Sequence, residues 1–196
     1  MIIQNGFFDI YLNENGAGIA NDYEIKKEGM VVVDYRTGLM WQRSGSPYHM
    51  FSAIASRYID SLNAVNYAGY NDWRLPTLEE ALSIMENQRQ QNNGLHIDPV
   101  FDDQQWWILT SDKDTEDWEW IVYYSMGYCS QSPVGNFSTY VRAVRRLDDL
   151  QLPEETQILL AENTQFSQIM SKSEQPRILN LRSSPQNNLT ANQVGE

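Results

Sequence analysis

Gly69-Tyr70-Asn71-Asp72-Trp73-Arg74-Leu75-Pro76-Thr77 is the stretch on which the reading of this chain turns. Its last residue opens a helix. Thr77-Leu78-Glu79-Glu80 has the form of a capping box, with the Thr77 side chain accepting from the Glu80 N–H and Glu80 reaching back to the Thr77 N–H. Leu78, Ala81, Leu82 and Met85 then make one apolar stripe. The polar run 86–93 ends the pattern, with Gly94 as a stop signal. Upstream, Ile54, Tyr58, Leu62 and Val65 recur at helical spacing and predict a helix over 50–65, with Ser52 near its start. Gly69 supplies the left-handed conformation that ends such a helix.

Further out, strand patterns take over. Met30-Val31-Val32-Val33 and Leu39-Met40-Trp41-Gln42 flank turn chemistry at 34–38 and read as a hairpin. Phe7-Phe8-Asp9-Ile10-Tyr11-Leu12 reads as a first strand. On the C-terminal side, 96–101 reads as a loop, and 106–110 and 118–124 as strands. Gly127-Tyr128-Cys129 reads as a turn. Tyr140-Val141-Arg142-Ala143-Val144-Arg145 is the final strand, with Val141, Ala143 and Arg145 on one face. All six Trp fall between Trp41 and Trp120, which marks an irregular, well-packed core rather than a helical bundle.

The chain has 196 residues, 26 acidic and 14 basic, for a formal net charge of -12. That field repels phosphate backbones, and Arg142, Arg145 and Arg146 are the nearest thing to a basic patch, so nucleic acid is not an expected partner. Cys129 is the only cysteine, which precludes an intrachain disulfide. No basic segment followed by a long apolar one opens the sequence, and no membrane span is expected, so the expected setting is cytoplasmic. Beyond Leu147 the composition turns polar. The expectation is one α+β domain over 1–148 and a tail over 149–196, with a short helix opened by Pro153 and carrying Ile158, Leu159, Phe166, Ile169 and Met170. Disorder is expected from Ser171.

Thr37-Gly38-Leu39-Met40-Trp41-Gln42, the 69–77 stretch, Ile97-Asp98-Pro99-Val100-Phe101 and Val141-Arg142-Ala143-Val144-Arg145 together resemble the Lcl C-terminal domain family, over roughly residues 30–146. The family takes its name from the terminal domain of a bacterial collagen-like adhesin. The resemblance implies a C-type-lectin-like fold with two helices, a small twisted antiparallel sheet and long loops. That scaffold is shared with the formylglycine-generating enzyme and with the variable proteins of diversity-generating retroelements. The resemblance also implies a binding module, with glycosaminoglycan binding linked to the founding adhesin. This chain lacks that adhesin's collagen-like repeats and carries an added polar tail.

Candidate residues follow from the chemistry of their side chains. Trp107, Trp118, Tyr124, Tyr128 and Phe137 are the expected ligand surface, because late loops on a rigid frame carry binding. Trp41 and Trp73 are assigned inward. Trp106 and Trp107 are adjacent on a strand and point to opposite faces, while Trp118 and Trp120 share one and Tyr123 takes the other. Among the carboxylates between Asp98 and Glu119, Asp112, Asp114 and Asp117 are the first to test for calcium, which takes 6–8 oxygen ligands. No cofactor is otherwise expected. Asn71-Asp72-Trp73-Arg74 reads either as a ligand turn or as a structural one, and two oxygens alone favour the structural reading. Enzyme readings rest on His96, Cys129 or the 112–117 loop. Formylglycine-generating chemistry needs paired cysteines, and no zinc spacing, nucleophile elbow or phosphate loop is present. The expectation is non-catalytic recognition of a protein, with a glycan, a calcium-dependent lectin or a retroelement-diversified protein as alternatives.

Overall fold

Three consecutive valines, Val31-Val32-Val33, fit a strand buried on both faces, because every side chain then meets apolar neighbours. They form β2 (Val31–Asp34), which pairs antiparallel with β3 (Leu39–Gln42) in the expected hairpin. Asp34 holds the turn: Oδ1 accepts from Arg36 N at 3.0 Å and Oδ2 from Thr37 Oγ1 at 2.6 Å. Gly38 takes the positive φ of 68° that closes it. The sheet has the order β1-β2-β3-β7, with β1 at Tyr23–Lys26 and β7 at Val144–Arg146. A computed structural model supplies this architecture, and it describes residues 2–148. The helix and disorder expected within 149–196 lie outside the described residues.

The second sheet contains β4 (Trp107–Thr115), β5 (Trp118–Tyr123) and β6 (Tyr128–Pro133), all antiparallel in that order. The α+β class holds, but the strands divide between two sheets rather than forming a single one. Two helices complete the fold: α1 (Ser52–Ala64) and α2 (Leu78–Ser83). Among the described residues no helix is long and apolar enough to cross a membrane.

Several elements differ from expectation, each for a tertiary reason. In α1 the buried stripe is Ala55, Ile59 and Leu62, while Ile54 and Val65 are exposed. One residue turns a helix by roughly 100°, so the alanine at 55 lets the helix lie close against Val31, Val33 and Met40. Helix α2 ends at Ser83, earlier than the polar run suggests, because Met85 bridges to Ile97 and Glu86 N donates to His96 O at 3.0 Å. Residues 7–12 form turns around Asp9 rather than a strand. Its carboxylate accepts from Tyr11 N, Leu12 N and Cys129 N, each at 2.9 Å. Only Gly127 turns in 127–129; Tyr128 and Cys129 begin β6. Of 140–145 only Val144 and Arg145 pair in β7, although Val141 and Ala143 share a core and Arg145 is buried, as expected.

Two packed cores result. One collects Trp41, Phe101, Leu78, Leu82, Ile108, Val122 and Tyr124. The other collects Trp73, the α1 stripe, Leu109 and Val141. Trp41 and Trp73 point inward as expected. The capping box is present, with Glu80 N to Thr77 Oγ1 at 3.1 Å and Thr77 N to Glu80 Oε2 at 2.9 Å. Glu80 also takes a two-pronged bond from Arg74, at 2.7 and 2.6 Å. Asn63 grips the Trp73 backbone from both sides, at 2.8 and 2.9 Å.

Candidate functional site

The three-stranded sheet has buried residues on both faces, and on the face of Leu109 and Ile121 the burial gives out toward one end. Ile108, Val122, Tyr124 and Cys129 pack into the first core. On the other face Trp107, Tyr123 and Tyr128 stand opposite one another across β4, β5 and β6. Directly opposed residues on antiparallel strands bring their side chains into contact, and here the contacts are aromatic. Tyr123 stacks on Tyr128 at 4.9 Å between ring centres. Phe137 lies 6.3 Å from Tyr123 and 5.7 Å from Trp107. Trp106 meets Trp107 at 6.0 Å, and Tyr11 meets Tyr128 edge-on at 5.3 Å. Trp107 Nε1 donates to Ser138 O at 3.0 Å, which fastens the loop that carries Phe137. The row is therefore held in place before any partner arrives. Its ends are open to solvent, Tyr11 78% and Trp106 52% exposed, and Phe137 between them is 37% exposed.

Around the edge of β6 the row passes into a cleft of about 450 Å³, lined by Asp9, Tyr11, Leu12, Trp118, Trp120, Tyr128, Cys129, Ser130 and Gln131. Tyr11 and Tyr128 belong to both surfaces. Trp118 and Trp120 share this cleft, on the side of β5 away from Tyr123, in keeping with strand alternation.

Of the five expected ligand residues, Trp107, Tyr128 and Phe137 lie in the row, and Trp118 and Tyr128 line the cleft. Tyr124 is a correction. It is fully buried, and its hydroxyl donates to Ala81 O at 2.9 Å, so it is a core residue. One step past Tyr123 the chain points to the opposite face, into the first core. Trp106, Tyr11 and Tyr123 were not in the expected set. The face of Tyr123 was readable from alternation; the contact of Trp106 with Trp107 was not, because alternation sets them on opposite faces and Trp106 lies just before β4, and Tyr11 reaches the row only through the Asp9 turn.

The carboxylates are not gathered. Asp112 Oδ2 accepts from Leu78 N at 2.7 Å and so serves the start of α2, while Asp114 and Asp117 are exposed on the β4–β5 hairpin. Among the described residues no group of three His, Cys, Asp or Glu side chains is placed to hold a metal ion. That placement corrects the reading of Asp112, Asp114 and Asp117 as one ligand set.

The remaining polar motifs are structural. Asp72 accepts from Arg145 Nε at 2.7 Å, and the Arg145 guanidinium lies 4.1 Å over the Tyr70 ring. Arg142 is fully buried over Phe101. It donates to the carbonyls of Gln42, Arg43 and Asp102 and to Gln105 Oε1. Burial lowers its pKa to about 10, which leaves it cationic at neutral pH. Neither arginine offers charge to an external polyanion. Cys129 is buried, and burial with the neighbouring Asp9 pushes its thiol up to about 12, so it is not a thiolate at neutral pH. His96 stacks on Phe8 at 5.4 Å, its Nδ1 lies 2.9 Å from Glu86 O, and burial lowers its pKa.

Residues 30–145 match the family model of the Lcl C-terminal domain. The match contains the 37–42, 69–77 and 141–145 blocks. Neither a curated protein nor a solved structure matches the chain.

Proposed function

The chain belongs to the Lcl C-terminal domain family, and from that premise we propose that it is a non-catalytic recognition module whose aromatic face grips a protein partner. The observation that carries this reading is the unbroken row of rings from Trp106 to Tyr11 at the end of the three-stranded sheet where the burial of Leu109 and Ile121 gives out. Rings of this size bury roughly 150–250 Å² each when fully covered. At about 25 cal/mol per Å², covering the exposed part of three or four of them supplies a few kcal/mol. Few rotatable bonds are frozen in doing so, which is why aromatic anchors dominate protein interfaces.

The supporting observations are of two kinds. The protonated Cys129 thiol and the stacked His96 argue against the enzyme reading on a related scaffold. The net charge and the buried arginines argue against nucleic acid. A protein is the partner we favour over a glycan. We read the two-helix, two-sheet architecture as a form of the C-type-lectin-like scaffold that the family resemblance implies.

The test is capture of partners from the native cell by the full chain and by a triple variant, Tyr11→Ser, Trp106→Ser and Phe137→Ser. A protein retained by the parent and lost by the variant at unchanged thermal midpoint supports the reading. Equal retention by both overturns it, as does retention of a glycan alone or turnover of a substrate by the purified chain.

A further inference from the structure

Strand β6 is the outer strand of its sheet, and its register shows which backbone groups face outward. Val134 N donates to Asp117 O at 2.9 Å, and Trp118 stands opposite Pro133. Hydrogen-bonded pairs alternate along an antiparallel ladder. Ser132, Ser130 and Tyr128 therefore bond to β5, while Cys129, Gln131 and Pro133 turn their backbone groups to the open edge. The Cys129 N–H is already held by Asp9 Oδ2. Pro133 has no N–H, a common way to end an edge. Between them the Gln131 N–H donates to nothing among the described residues, and its carbonyl meets only Ser130 Oγ, at 3.4 Å. Beside this short open edge lies the cleft walled by Leu12, Trp118 and Trp120. At its Pro133 end stands the β4–β5 hairpin, where Asp114, Glu116 and Asp117 are exposed and in no ion pair among the described residues.

We propose that this edge takes an extended peptide segment as a fourth strand, with apolar side chains at alternate positions and a basic residue at the end lying by Pro133. The inference rests on reading the chain as a protein-recognition module and names the form of the partner. The main chain of the segment bonds to the Gln131 N–H and C=O and to the Cys129 C=O. Alternate side chains point to one face, and those on the cleft side lie against Trp118 and Trp120. The main-chain bonds align the segment, the cleft supplies affinity, and the hairpin carboxylates select a basic end. An acidic segment at the same place meets like charge.

The test uses the full chain and a blocked hexapeptide of alternating Val and Thr with two Arg residues at one end. Hydrogen exchange at the Gln131 amide is followed by NMR. Saturating peptide slows that exchange about tenfold or more, as expected for a newly bonded amide. Methylating the peptide nitrogens that face β6 abolishes binding, and methylating the alternate nitrogens does not. Glu116→Lys with Asp117→Lys weakens the Arg peptide about tenfold and strengthens the version with Glu in place of Arg; both positions are exposed, so the thermal midpoint stays put. Unchanged Gln131 exchange at millimolar peptide overturns the proposal. So does slowing that depends on chain concentration without peptide, which assigns the edge to a second copy. Peptide that perturbs Trp107 and Phe137 while leaving Gln131 alone overturns the edge but leaves the recognition reading standing. Failure of that reading shows instead in the triple-variant capture above.

Discussion

The two sheets of this chain differ in how completely their faces are covered. In the four-stranded sheet every residue of β2 and β3 is buried. In the three-stranded sheet each face of β5 is covered only in part, with Glu119 and Ile121 buried beside a half-buried Tyr123 on one, and Val122 buried beside an exposed Trp118 and a half-buried Trp120 on the other. The quoted motif residues gather around the first sheet and its helices, where their polar groups answer one another: Arg74 with Glu80, Arg145 with Asp72, Arg142 with four oxygens. The aromatic row belongs to the second sheet. A region that satisfies itself leaves little exposed, and a region covered in part leaves rings in contact with water. The first sheet is the frame, and the second carries the proposed grip.

Substitutions separate the two roles, and the largest effect belongs to the frame. Trp73→Ala removes a buried indole, its bond to Tyr67 O and its contacts with Tyr67 and Tyr70. A loss of about 3–5 kcal/mol is expected, read as a collapse of the urea midpoint. A loss under 1 kcal/mol would remove the distinction. Arg142→Met keeps the bulk but leaves three carbonyls and Gln105 Oε1 without their donor. About 3 kcal/mol is expected, and a neutral result would show that these oxygens find water instead.

Glu80→Gln is expected to cost about 1 kcal/mol at pH 7, a modest value because Arg74 is partly exposed. It also sharpens the comparison through pH. Burial pushes the Glu80 carboxyl up, but the bonds from Arg74 and Thr77 outweigh it and hold it below its ordinary value of 4.5. The folded state therefore binds this proton less readily than the unfolded one. The stabilisation is present above about pH 4.5 and is lost as pH falls through the lower folded value. Asp34 runs the other way, since burial raises its pKa and its folded form accepts a proton more readily. The difference between parent and Glu80→Gln in urea midpoint across pH 3–6, an interval of about three units around that value, isolates Glu80. Parallel curves would refute its role. The smallest stability effect is expected in the grip. Trp106→Ser and Phe137→Ser should each lie within about 0.5 kcal/mol of the parent by urea unfolding, while capture of the proposed partner is lost. Larger destabilisation would make the row part of the frame.

Legibility followed the range of the interactions. The 34–38 turn and the Thr77–Glu80 box were readable because every participant lies within a few residues and is fixed by backbone chemistry. In the α1 stripe Leu62 was legible, but spacing favoured Ile54 over Ala55 and Tyr58 over Ile59, and only the sheet lying against the helix decides between them. The shared placement of Trp107, Tyr128 and Phe137 was legible from composition and strand order. Tyr124 was not, since the β5–β6 turn begins beside it and only the covered face shows where its ring goes. Asp112 read as a metal ligand because its bond to Leu78 N spans 34 positions of sequence.

By itself the amino-acid order determined the family, the α+β class, the hairpin, the capped helix and the inward assignment of Trp41 and Trp73. Each of these rests on local backbone preference or on the cost of exposing a large ring. Which rings stay in contact with water, which carboxylate is already engaged and which strand keeps a free edge were decided only when two sheets packed. Those outcomes depend on what lies across the fold, and neighbours in space carry no mark in a linear chain.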